Sequence, residues 1–221
     1  LTKIVKRSLP DGAWQLLLPH ALKILNDIKE HGTSQLFWTL GGGTVLMFRY
    51  HHRLSKDIDI FVPDPQYLGF VTPRLSDVAA SITSDYAEDQ NSYVKLNLPE
   101  GEIDFVASPN LTERPYEIWN INGQDIRVET AVEIVAKKLW HRGDQATARD
   151  LFDLSLVIEK EPIELLTATK FLQRNAKKFI EQIHSRQKVL KLQFDEIEVL
   201  DYRTSYEDAV RRSTLFLEKL L

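Results

Sequence analysis

Residues 40–62 read LGGGTVLMFRYHHRLSKDIDIFV, and this stretch decides the fold. Three glycines precede an apolar run with helical spacing, and two aspartates then fall inside a run that otherwise reads as a strand. Aspartate weakens a strand, and two carboxylates on one face repel each other. Something must compensate for them. Strand side chains alternate with a period of two, so Asp57, Asp59 and Phe61 share one face while Ile58, Ile60 and Val62 share the other. Carboxylates about 6 to 7 Å apart along one strand face a common point, which suits a hard cation with oxygen ligands. The alternation recurs in GEIDFVA, residues 101–107, where Glu102 and Asp104 face one way and Ile103 and Phe105 the other. If the two strands are neighbours, Asp104 completes a three-carboxylate cluster. Such a cluster is electrostatically stable around a divalent ion, and Mg2+ is the expected one. Two such ions can activate an attacking hydroxyl and stabilise the leaving oxygen.

The glycines supply the other half of the site. A strand-to-helix turn without side chains lets backbone N–H groups approach an anion, and the start of the next helix adds its dipole. Gly42, Gly43 and Thr44 are expected to cradle a phosphate chain, with the Thr44 hydroxyl as a further donor. Phosphate on the loop and metal on the strand imply a nucleoside triphosphate, such as ATP, as co-substrate. The run is not a P-loop, since no Gly-Lys-Ser/Thr follows, and not a dinucleotide fingerprint, since Leu46 stands where a third glycine is needed. Alone, a glycine run is more often a plain loop, and Asp-Ile-Asp more often an exposed edge that blocks strand pairing. Together, in the strand and helix setting that each requires, they point to chemistry.

The rest of the chain sets limits on that reading. Its 221 residues can bury a sizeable core, and 43% apolar with 27% charged residues is ordinary for a globular protein. With no cysteine there is no disulfide framework, thiolate zinc site or cysteine nucleophile, which favours a reducing compartment. The apolar runs are too short or too charged to span a bilayer and no signal peptide stands out, so a cytoplasmic protein is expected. The net charge of −4 is unevenly distributed. Residues 32–125 hold 6 Lys and Arg against 13 Asp and Glu, whereas residues 126–221 hold 17 against 16. Within the latter, residues 170–191 carry seven basic residues opposed by Glu181 alone. Helical periodicity predicts helices over 13–31, 44–54 and 72–83, strands over 34–40 and 57–63, and a hairpin over 92–107 turning at residues 99–101. Residues 126–143 read as a strand running into a helix, and beyond Asp150 the chain is almost wholly helical, with a break at Pro162. The expected architecture is α/β (α+β), a mixed sheet with helices followed by a C-terminal helical bundle, divided as residues 1–125 and 126–221. The six histidines lack ligand spacing, and adjacent His51 and His52 point to different sides of a helix.

The run GGGTVLMFRYHHRLSKDIDIF resembles the signature of polymerase-beta-like nucleotidyltransferases. With RLSKDIDIF, GEIDF, TAVEIVAKKL and ARDLFDL it resembles the AbiEii-type branch, whose members include toxins of toxin–antitoxin and abortive-infection systems. The resemblance covers roughly residues 30–160. It implies a polymerase-beta-like core in which Asp57 and Asp59 bind magnesium, Lys138 on the following helix contacts the triphosphate, and Asp150 completes the site. Of the two lysines in AKKL, Lys138 takes the family's position. Asp153 lies three residues from Asp150 on one helix face, so it too could point at the site. Asp104 matches the third carboxylate of the superfamily, and Arg53 and Ser55 match an Arg-x-Ser lead-in that touches phosphate.

The resemblance implies transfer of a nucleoside monophosphate to an acceptor hydroxyl with loss of pyrophosphate, and Asp150 or Asp104 as candidate base. The favoured acceptor is the 3′ end of tRNA, gripped by Lys170, Arg174, Lys177, Lys178, Arg186 and Lys188, in a growth-arresting toxin with a cognate antitoxin. A small-molecule acceptor such as an aminoglycoside is an alternative within the same chemistry. A non-catalytic nucleotide- or partner-binding module is a third reading, and it leaves the retained carboxylates without a purpose.

Overall fold

The computed structural model describes residues 9–31 and 36–221, which form two compact units. The first takes in the described residues up to 48 together with 55–110 and 116–129; the second comprises 49–54, 111–115 and 130–221. The sequence reading places a single join after residue 125. In the structure two short excursions, residues 49–54 and 111–115, also belong to the second unit.

In the first unit, helix α1 (Trp14–His31) is followed by β1 (Thr39–Gly41), α2 (Gly42–Tyr50), β2 (Ile58–Val62), α3 (Asp77–Ile82), β3 (Tyr86–Asp89), β4 (Tyr93–Leu98), β5 (Gly101–Ala107), β6 (Tyr116–Ile121) and β7 (Gln124–Glu129). These strands form one mixed sheet in the order β3-β4-β5-β2-β1-β7-β6, with β2 parallel to β5 and β1 parallel to β7. Alternation decides its two faces. Ile58, Ile60, Val94, Leu96, Ile103, Phe105, Ile126 and Val128 are fully buried on one face, where α1 packs against β2 and β5. Helix α1 meets them with Trp14, Leu17, Leu18, Ala21, Ile24, Leu25 and Ile28, a stripe at helical spacing. The opposite face carries Lys95, Glu102, Asp104 and Asp59, none of them fully buried.

The second unit is helical: α4 (Ala131–Arg142), α5 (Ala148–Lys160), α6 (Pro162–Leu166), α7 (Thr169–Ser185), α8 (Gln187–Asp195) and α9 (Tyr206–Glu218). Helix α4 packs on α5 and α7, and α5 on α8 and α9. Its centre is an aromatic cluster in which Phe152 meets Phe194 and Tyr202 at ring separations of 5.4 and 5.3 Å. Thr130, Thr147 and Ser205 cap α4, α5 and α9 with their side-chain oxygens. Pro162 opens α6, where its missing N–H costs nothing.

Several boundaries differ from expectation. The helix expected over 44–54 stops at Tyr50, where His51 takes a left-handed φ of 49° that ends a helix. Residues 52–54 then run extended beside 198–200, with Leu54 N–H donating to Glu198 O at 2.8 Å and Leu200 N–H to His52 O at 3.0 Å. The helix expected over 72–83 shortens to α3, because the Ser76 hydroxyl accepts from Ala79 N–H and sets the start at Asp77. Strand β1 begins only at Thr39, and residues 34 and 35 of the expected 34–40 strand lie outside the described residues. Asp57 sits just before β2 rather than within it. The hairpin over 92–107 forms as β4 and β5. The β6–β7 hairpin was not expected, although its Asn122-Gly123 turn, with φ of 51° and 84°, is a strong hairpin signal.

Candidate active site

The strand register gathers the sheet carboxylates. Asp59 on β2 lies directly opposite Asp104 on the parallel strand β5, and Gly41 lies opposite Asp59 on β1. Gly42 begins α2 with φ 71°, and a Cβ there would run into the Asp59 carboxylate. The left-handed backbone and the close approach both demand glycine. At Gly41 an added Cβ would strike Glu129, whose Oε1 accepts from the Thr39 hydroxyl at 2.8 Å. The glycine turn is thus pressed between carboxylates on two strands. Gly43 and Thr44 are buried in the first turn of α2.

Thr44 behaves differently from the expectation for a phosphate donor. Its side chain is fully buried and its hydroxyl donates to Asp57 O at 2.5 Å, so it ties the turn to the residue before β2. Asp57 in turn accepts from Glu102 N–H at 3.1 Å through Oδ1. Among the described residues no group of three or more His, Asp or Glu side chains is gathered closely enough to hold a metal ion as it stands. The expected three-carboxylate cluster is therefore not drawn together, because Asp57 is turned to the Glu102 amide and Asp104 has a cation beside it. Lys95 on β4, opposite Asp104, places its ammonium 2.6 Å from Glu102 Oε2 and 3.8 Å from Asp104 Oδ2.

The fit to a cation rests on Asp104. Its Oδ1 is buried without a hydrogen-bond partner. Burial, and then the neighbouring charge of Asp59, push its carboxyl up to about 7 despite the opposing influence of Lys95. The chemistry of this donor pair, two carboxylates side by side, suits a hard cation with oxygen ligands.

The second unit holds a different constellation. Lys138 on α4 donates to Asp150 at 3.0 Å and to Asp153 at 2.7 Å, both on α5. Arg142, one turn along α4, reaches Asp150 at 2.7 Å. Asp153, fully buried, also accepts from Arg53 through both oxygens at 2.8 and 2.9 Å, and lies 2.9 Å from His52 Nε2. Arg53 is thus the bidentate partner of an interior aspartate. Ser55 is nearly buried, and its N–H lies 3.4 Å from the Met47 sulfur. Burial alone would raise Asp150, but Lys138 and then Arg142 outweigh it and hold the carboxyl at about 2. Asp153 is held well below the usual carboxylate range against its burial, chiefly by Arg53 and Lys138. Burial lowers His52 and leaves it a neutral acceptor or donor within this network. Asp150 is thus the shared partner of Lys138 and Arg142.

The basic residues expected to meet nucleic acid, Lys170, Arg174, Lys177, Lys178, Arg186 and Lys188, are all exposed. The first four recur at three- and four-residue spacing along α7. The Arg174 guanidinium lies 4.0 Å over the Trp140 ring and the Lys170 ammonium 4.7 Å over Phe171, while the two rings meet edge to face at 5.6 Å. Sequence reasoning missed Lys95, His52 and these aromatics, since each owes its place to pairing across strands or helices. The strand period that selected Glu102 and Asp104 also puts Lys95 on one face of β4, but only the β4–β5 register shows which residue it meets.

No curated protein matches the chain in sequence. Among solved structures, MenT4, a nucleotidyltransferase toxin of Mycobacterium tuberculosis, shares 18% identity over 92% of this chain and 82% of its own, with a TM-score of 0.52. JHP933 of Helicobacter pylori shares 17% identity over 96% of this chain and 93% of its own, with a TM-score of 0.48. The MenT4 likeness shows a nucleotidyltransferase fold. The family model for nucleotidyl transferase AbiEii toxins of type IV toxin–antitoxin systems matches residues 23–219, and the chain belongs to that family of nucleotidyltransferases.

Proposed function

We propose that the protein uses magnesium to transfer a nucleoside monophosphate from a nucleoside triphosphate to the 3′ end of a tRNA, acting as the toxin partner of an antitoxin. The observation that carries this reading is the direct opposition of Asp59 and Asp104 on neighbouring parallel strands, beside a turn where only glycine fits against Asp59. Asp57, Asp59 and Asp104 are the residues that would hold the metal, which when bound neutralises phosphate charge and sharpens the attacking hydroxyl. Gly42, Gly43 and Thr44 receive the phosphates through backbone N–H groups at the start of α2.

In the transfer, the acceptor oxygen forms a bond to the α-phosphorus as the bond to the bridging oxygen breaks, and pyrophosphate carries away the electron pair. The acceptor proton goes to a carboxylate of the site, with Asp104 the candidate base on the sheet. Within the second unit, Lys138 is the point charge that the resemblance assigns to a triphosphate, and Asp150 and Asp153 fix its direction. The tRNA assignment draws on the exposed cations and partly exposed aromatics of α4 and α7, which combine charge for phosphates with rings.

Purified protein incubated with magnesium, total tRNA and each α-labelled triphosphate in turn tests both parts. Label on tRNA 3′ ends is the expected result. Label on a small-molecule acceptor and never on tRNA would refute the acceptor, and no transfer to any acceptor would refute the chemistry.

A further inference from the structure

Lys95 is the cation that the carboxylate reading did not call for. It stands on β4 directly opposite Asp104, in a row that continues across β5 and β2 to Asp59 and across β1 to Gly41. Its ammonium is 2.6 Å from Glu102 and 3.8 Å from Asp104. The backbone N–H of the same Glu102 holds Asp57 at 3.1 Å. Glu102 therefore links the lysine to the first aspartate, and Lys95 touches the third.

We infer that Lys95 is a built-in counter-ion, a positioning residue that occupies the cation side of Asp104 in the metal-free protein and must give way when a divalent ion binds. The inference rests on Asp57, Asp59 and Asp104 being cation ligands. An ammonium close to the ligand oxygens repels an arriving ion, and it lowers the energy of the empty site by offsetting carboxylate repulsion. Both effects weaken the affinity for the bare metal. Glu102 keeps an anchor for Lys95 2.6 Å away, so the lysine can leave Asp104 without losing its partner. The consequence is a site that takes its ion best together with the polyphosphate, whose own negative charge offsets the ammonium. Lys95 is about one-third exposed, so its coupling to the metal falls at the weak end of the usual range.

The test measures Mn2+ binding at pH 8 and low salt, by titration calorimetry and by the loss of free-ion paramagnetic signal, on the full chain without nucleotide. Lys95→Met keeps the stem and removes the charge, Lys95→Arg keeps the charge, and Asp59→Asn reports separately on the metal site. The inference predicts that Lys95→Met binds Mn2+ about fivefold more tightly than wild type. It also predicts a lower melting temperature in chelator and a larger rise on adding Mn2+, with Lys95→Arg close to wild type. Equal or weaker Mn2+ binding by a folded Lys95→Met protein would overturn the counter-ion role while leaving the metal reading intact. If neither wild type nor Lys95→Met binds Mn2+, or Asp59→Asn binds it as well as wild type, the metal reading fails and the inference with it. Should Lys95→Met not fold, Lys95→Gln is held to the same expectation.

Discussion

Gly42 holds its left-handed φ of 71° against the Asp59 carboxylate, and Gly123 holds a φ of 84° at a hairpin tip where an added Cβ would meet open space. Alanine at Gly123 pays only the backbone penalty, about 1 to 2 kcal/mol, whereas alanine at Gly42 adds a collision with Asp59. Melting temperatures of the two variants should therefore fall by about 2 to 8 °C for Gly123→Ala and by more for Gly42→Ala, and only the latter should lose transfer activity. Asp104 gives a second test through pH. Its carboxyl is raised in the folded state to about 7 from a reference near 3.8. Between those values the folded protein binds more protons than the unfolded chain, so stability falls as pH rises through that window. In chelator, Asp104→Asn removes this penalty. Relative to wild type it should gain stability between pH 4 and pH 8, by up to about 4 kcal/mol in denaturant titrations. A gap between the two proteins that stays constant over that range would contradict a carboxyl raised by burial and by Asp59. The glycines and aspartates were legible in the sequence because φ sign and strand period are local properties. The partners of Thr44, Arg53 and Asp150 were not, since Asp57 O, Asp153 and Lys138 reach them through tertiary packing.

Elements were read well where one rule dominated. The stripe of α1 and the alternation of β2 and β5 gave those elements from periodicity alone. β3 was missed because YAED is short and half charged, as suits an edge strand. The expected end of α2 ran four residues too far because the apolar pattern continues past Tyr50, while the stop comes from a backbone turn at His51 that leads residues 52–54 alongside 198–200. At this scale α7 makes its own prediction. Lys177 and Lys178 are exposed and make no contribution to the buried stripe of Leu172, Ala176, Phe179 and Ile183. Lys177→Glu/Lys178→Glu should leave the melting temperature nearly unchanged, weaken tRNA binding and flatten its dependence on salt. The slope of log affinity against log salt should drop by about two if both lysines meet phosphates. An unaltered slope would remove α7 from the interface.

For the whole molecule, the α/β class and the succession of sheet and then helices were legible because the chain changes from alternating to helical patterning near residue 130. The capture of residues 49–54 and 111–115 by the second unit was not, because it depends on long-range partners such as Glu133, which accepts from the amides of Leu111 and Thr112 at 2.9 and 2.8 Å. Family membership makes the chain a nucleotidyltransferase; the sheet carboxylates explain how it would act as one. Asp59→Asn keeps the size of the side chain and removes the charge opposite Asp104, so the measurement that bears most directly on the account is transfer of an α-labelled nucleotide by this variant beside wild type, with folding checked by circular dichroism. The account predicts a loss on the order of 10³-fold in a folded protein. Wild-type transfer by folded Asp59→Asn would contradict it.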